Sequence, residues 1–93
     1  MTLFYEKADI FAVIKKIIMA ARTGDYGAAS SEINQFQLLL QAELSKGMIS
    51  AAALSKITYS LETIVKMQKS GDWVAVADIL EFEFAPLWKE IAF

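Results

Sequence analysis

A chain of 93 residues, 56% hydrophobic and 22% charged, can fill one packed core and is not intrinsically disordered. It has no Cys and no His, which excludes disulfides, thiol nucleophiles, zinc fingers and every His-based triad or facial metal site. Nine basic against eleven acidic residues, a net charge of −2, leave no electrostatic footprint for nucleic acid.

Glycines punctuate the chain. Gly24, Gly47 and Gly71 fall between long periodic segments, in the strings Arg22-Thr23-Gly24-Asp25, Lys46-Gly47-Met48-Ile49-Ser50 and Lys69-Ser70-Gly71-Asp72. Each string offers a cation for the negative end of one helix, a Gly for the left-handed residue that closes it, and an Asp or Ser to cap the next. Four helices are predicted, over about 3–22, 26–46, 51–69 and 73–92, each about 30 Å long.

The apolar face of the first helix is Leu3, Ile10, Ile14, Ile17 and Ala21, flanked by Phe11, Val13 and Ile18. The second offers Ala29, Ile33, Phe36, Leu40 and Leu44, beside Tyr26 and Leu39. The third offers Leu54, Ile57, Leu61, Ile64, Val65 and Gln68, with Glu62 and Lys66 spaced as an ion pair on its surface. The fourth offers Trp73, Val76, Ala77, Leu80, Phe84, Leu87, Trp88 and Ile91. These are helical steps of three and four, not the two-residue step of a strand. Pro86 lacks an amide donor and collides with the Phe82 carbonyl, so a kink is expected there, or a break with a short helix over 87–92. Short links make sequential neighbours antiparallel. The expected architecture is a single all-α domain over 1–93: an antiparallel, up-down four-helix bundle with its last helix kinked or broken near Pro86.

The two halves repeat. Gly24-Asp25-Tyr26-Gly27-Ala28 matches Gly71-Asp72-Trp73-Val74-Ala75 at an offset of 47 residues. Upstream, Ile10 matches Ile57, Ile14 matches Leu61, Ile17 matches Ile64, Ile18 matches Val65 and Arg22 matches Lys69. The chain therefore reads as two similar helical hairpins. One interpretation is a helical repeat with a concave peptide groove. The other is that Gly-Asp-aromatic solves the same turn twice, with Gly closing one helix, Asp capping the next and the ring packing under the corner.

Catalytic constellations are missing. A carboxylate-bridged di-iron site in a bundle requires His. Asp78 and Glu81 project to one side of the core stripe and Glu83 to the other, as a solvated rim. The serines have no His partner and no nucleophile elbow, and there is no Gly-rich phosphate loop. No catalytic, cofactor-binding or metal-ligating residue is assigned, no cofactor is expected, and the chain is not expected to be an enzyme.

The longest charge-free stretch, Ile33 to Ala42, contains Asn34, Gln35, Gln37 and Gln41, so no membrane span is predicted. The opening MTLFYEKAD has neither a basic region nor a small-residue cleavage site, and a cytoplasmic protein is expected. The mean hydropathy of +0.39 is nevertheless high for so small a chain, which places some apolar surface outside. Counted from Trp73, the core stripe of the fourth helix centres near 0°, while Ile79, Pro86 and Phe82 fall at about 240°, 220° and 180°. Acidic Asp78, Glu81, Glu83 and Glu90 border this second stripe. A weaker stripe on the first helix comprises Tyr5, Ala8, Ala12 and Met19, next to basic Lys15 and Lys16. These positions form a candidate protein-binding or homodimer surface, with Ile79, Phe82 and Pro86 at its centre and Met19 and Ala12 outlying. The alternative is a fourth helix that sits centrally, with both stripes covered inside one chain.

The segment from Gly71 to Trp88, GDWVAVADILEFEFAPLW, resembles a functionally uncharacterised all-helical family of Gram-positive bacteria with a GDWxxxADxLExExxPL pattern near its C-terminus. That resemblance implies a fold and no activity. Gly24-Asp25, the helix from Ala28 to Leu44 and Trp88 are also similar in outline to flagellin-export chaperones, small acidic bundles that hold the amphipathic tail of flagellin. The Tyr/Asn-rich N-terminal segment of those chaperones is absent here, and the first helix is more apolar. The functional expectation is a non-enzymatic interaction module that binds an amphipathic helix or a second copy of itself, chaperone- or adaptor-like. The rival is a regulatory domain binding a small ligand or lipid in a cavity between Phe11, Phe36, Phe84 and Trp88.

Overall fold

In a computed structural model, which describes residues 7–92 with side chains from Ile10 to Ile91, every described residue in regular structure is helical. The elements are α1 (Lys7–Arg22), α2 (Tyr26–Leu44), α3 (Ala51–Lys69), α4 (Trp73–Ile79), a π-helical segment (Leu80–Phe84) and α5 (Ala85–Ala92). The last three follow one another without interruption and are called the last helix. Leu3 and Tyr5, expected on the first helix, lie outside the described residues.

The predicted caps are in place. Asp25 accepts a hydrogen bond from the Ala28 amide at 3.2 Å, Ser50 from Ala53 at 3.2 Å, and Asp72 from Ala75 at 3.1 Å. The two Gly-Asp corners have nearly the same backbone. Gly24 and Gly71 take φ of 82° and 76°, values that favour Gly, and the Asp residues that follow take φ, ψ of −88°, 74° and −86°, 75°. In both corners the Asp amide reaches back five residues, Asp25 to the Ala20 carbonyl and Asp72 to the Met67 carbonyl, each at 2.9 Å. The aromatic residues after them do not pack separately under their own corners. Tyr26 and Trp73 stack on each other, centroids 5.3 Å apart and planes 5° from parallel.

The core follows the predicted stripes. Ile10, Val13, Ile14, Ile17 and Ala21 of α1 are buried, as are Ala29, Ile33, Phe36, Leu39 and Leu40 of α2. The last helix buries Val76, Ala77, Leu80, Phe84 and Trp88. Three large rings interlock at the centre: Phe84 meets Phe36 edge to face at 5.0 Å and stacks on Trp88 at 6.2 Å. α3 is the least buried helix. Ile57, Ser60 and Ile64 are buried, Leu61 and Met67 pack partly against the core, and Leu54, expected in the core, is exposed.

Packing is unequal. α1 packs extensively on α2 and also on α4, α3 packs on α4, and no comparable packing joins α2 to α3. The molecule is correspondingly flat, 35 × 35 × 19 Å, about two helix diameters thick. Because α1 and α3 flank α4 on two sides, α4 buries a wide arc. Val76, Ala77, Ile79 and Leu80, all buried, span about 160° of the wheel. This corrects one expectation. Ile79 does not belong to an outward stripe but to the core, at 8% exposure.

Pro86 lies within continuous helix, one residue inside α5. The turn ahead of it is wound wide, with the Ala85 amide donating to the Leu80 carbonyl five residues back. The widening lies directly ahead of the proline, which has no amide to give to a regular α-turn. The wide turn also absorbs an extra residue. Up to Leu80 the halves match at an offset of 47, pairing Ala29 with Val76 and Ile33 with Leu80. Beyond it the match is 48, pairing Phe36 with Phe84 and Leu40 with Trp88. All eight side chains are buried. The first half needs two residues, Asn34 and Gln35, where the second has three, Glu81, Phe82 and Glu83.

Candidate functional site

The inserted residue carries a ring outward. Phe82 is 66% exposed, in the middle of the π-helical segment, between exposed Glu81 and Glu83. Pro86 is exposed one turn further on, and Val74 is exposed near the start of α4. A π-bulge inside an α-helix frequently marks a functional position. Here it places a large apolar side chain among carboxylates with no part in the core.

Beside it runs a groove between α1 and the last helix. Its α1 wall is Phe11, Ile14, Lys15, Ile18, Met19 and Arg22, and its other wall is Glu81 and Ala85. Arg22 fastens the two walls, donating to Asp78 at 3.0 Å and to Glu81 at 2.9 Å. These bonds, first to Glu81 and then to Asp78, push the guanidinium pKa up from its ordinary value. All three side chains are substantially exposed, so the clamp orients the helices more than it stabilises them.

A second groove lies on α3, lined by Thr58, Leu61, Glu62, Val65, Lys66 and Lys69. These are the 47-residue counterparts of the six α1 residues in the first groove, position for position. Among the described residues no second wall faces them. The expected ion pair between Glu62 and Lys66 does not form; the ion pairs among the described residues are the two of Arg22 and one between Lys46 and Glu43.

A family model described as a domain of unknown function (DUF8042) matches residues 8–92. The chain belongs to this family. No curated protein and no solved structure matches it. The family description carries no activity.

Of the residues singled out in the sequence, Phe82, Pro86, Met19 and Ala12 are exposed. Met19 lines the groove between α1 and the last helix, whereas Phe82, Pro86 and Ala12 stand outside it. Ile79 is in the core. Ala8, also placed on the outlying stripe, is in α1, but its side chain is not among those described. Sequence reasoning missed the clamp of Arg22, assigned only to a helix end, and the open groove on α3. It also missed Glu43, buried at 5% exposure with one oxygen on Lys46 at 2.7 Å. Comparing the halves residue by residue would have exposed the first two, since Arg22 has its counterpart in Lys69 while Asp78 and Glu81 have theirs in Ser31 and Asn34.

Among the described residues no group of His, Cys, Asp or Glu side chains is placed to hold a metal ion. Nor is any helix there long and apolar enough to cross a membrane.

Proposed function

We propose that this protein is a non-enzymatic interaction module, cytoplasmic and chaperone- or adaptor-like, which uses the outer face of its last helix to bind an amphipathic helix or a second copy of itself. The observation that carries this reading is Phe82: a ring two-thirds exposed, in an inserted turn that the other half of the molecule does without. Covering such a ring is worth roughly 1.5–3 kcal/mol, enough to matter in association. Pro86 and Met19 extend the surface, and the surrounding carboxylates suit a partner with basic flanks.

The same reading takes the four helices as two antiparallel hairpins running alternately up and down. The three-residue corners support it, as do the ring contacts. Tyr26 and Trp73 meet at the starts of α2 and α4, and Phe36 meets Phe84 further along each, as helices running in one direction require. The rival, a small ligand held among the core aromatics, finds less support. Phe36, Phe84 and Trp88 fill the space between them with one another.

Sedimentation equilibrium of the wild type and Phe82→Glu tests the proposal. A wild-type dimer that becomes monomeric in the variant supports self-association through this face. If the wild type is monomeric, quantitative pull-down from the native host replaces it, and loss of partners with the variant is the supporting result. A dimer unchanged by the substitution, or identical partners on both baits, contradicts the assigned surface.

A further inference from the structure

The two grooves are copies of one another that differ in what covers them. On α1 the face is walled by the last helix, whose Asp78 and Glu81, three residues apart, take the Arg22 guanidinium, and whose Ala85 lets the helices approach. On α3 the equivalent wall would have to come from α2, at Asn34 and Gln37, with Ser31 and Asn34 facing Lys69. α2 carries no carboxylate at those positions and does not pack along α3. Leu61 and Val65 are only partly covered along the groove, Leu61 with one side against the core, and among the described residues neither Lys66 nor Lys69 has a carboxylate within 4.0 Å.

We propose that the α3 face is a docking groove for a partner protein's amphipathic helix that carries two carboxylates three residues apart and a small residue four further on. Such a helix reproduces the wall that Asp78, Glu81 and Ala85 provide for α1. Its carboxylates meet Lys66 and Lys69, its apolar stripe covers Leu61 and Val65, and its small residue allows close approach. Glu62 lies one turn before Lys66 on the same face and repels an acidic residue there, which sets the direction in which the partner lies. This surface is separate from Phe82, and the two readings stand or fall independently.

The test uses the full chain and two fluorescent, hydrocarbon-stapled helical peptides, since short isolated helices are marginal in water. Both carry a Leu stripe with an Ala; one has Asp and Glu three apart, the other Asn and Gln at those positions. Anisotropy titrations are expected to show the acidic peptide binding about tenfold tighter, with the difference shrinking as salt rises. Lys66→Glu with Lys69→Glu, confirmed folded by circular dichroism, is expected to reverse the preference in favour of a peptide bearing two Lys. Phe82→Glu is expected to bind like the wild type. Equal affinity for the acidic and amide peptides, no binding of either, indifference to the charge reversal, or loss of binding in Phe82→Glu would each overturn the proposal. So would a dimer of the chain alone that dissociates on the Lys66 and Lys69 reversal, because the occupant would then be a second copy.

Discussion

The first half of this molecule, α1 with α2, and the second, α3 with the last helix, begin from the same instructions and end differently. Both open on a buried Ile pair, Ile10 and Ile17 in one, Ile57 and Ile64 in the other, and both turn on a Gly-Asp corner of the same geometry. The first half is closed, with α1 packed on α2 and clamped to the last helix by Arg22. In the second, α3 packs on one neighbour and buries three side chains. The same local code builds both corners, while what packs opposite each outer face differs between the halves. Arg22 meets two carboxylates; Lys69, its counterpart, meets none among the described residues.

The halves also differ by one residue, and removing residues from the last helix probes that difference with the largest expected effect. Deleting Ala77 rotates all that follows by about 100° and turns Phe84 and Trp88 out of the core, and is expected to abolish cooperative unfolding. Deleting Phe82 in a Pro86→Ala background returns the second half to the spacing of the first and is expected to keep the fold at a cost below about 2 kcal/mol in urea denaturation. If both deletions unfold the chain, the wide turn is not an accommodated insertion.

Next in size is the shared core. Phe36→Ala and Phe84→Ala are each expected to cost about 3–5 kcal/mol, the double variant less than their sum because the rings touch. Strict additivity would mean that the equivalent rings do not support one another. Smaller again are the corners. Asp25→Ala and Asp72→Ala are each expected to cost about 1 kcal/mol, and by the same amount, since each removes one cap bond of matching length. Clearly unequal losses would break the equivalence of the two corners. Phe82→Glu, by contrast, is expected to change stability by no more than about 0.5 kcal/mol, because the ring is largely exposed.

Helix positions, caps and most of the core were legible from spacing alone, because Gly, Asp and Ser act within a few residues and apolar periodicity reports a helix's own buried face. Ile79 was misassigned because a wheel assumes one covered side, and α4 is covered on two. Tyr26 and Trp73 were seen as two corner solutions, and only the tertiary arrangement shows them as one stack. The response to Pro86 was sought at the proline itself, whereas the chain adjusts one turn earlier, where an extra residue is available. Of the candidate surface, Phe82, Pro86, Met19 and Ala12 were found at exposed positions. The groove on α3 was not foreseen, since an uncovered face depends on a neighbour that fails to arrive.

Site-specific photo-crosslinking asks whether protein covers the ring in the inserted turn. A benzophenone amino acid replaces Phe82 in one chain and Leu38, an equally exposed apolar residue of α2, in another. A discrete adduct is expected from position 82, at the mass of a dimer or of a single partner, with only diffuse background from position 38. Background alone from both positions, or the same adduct from both, would contradict it.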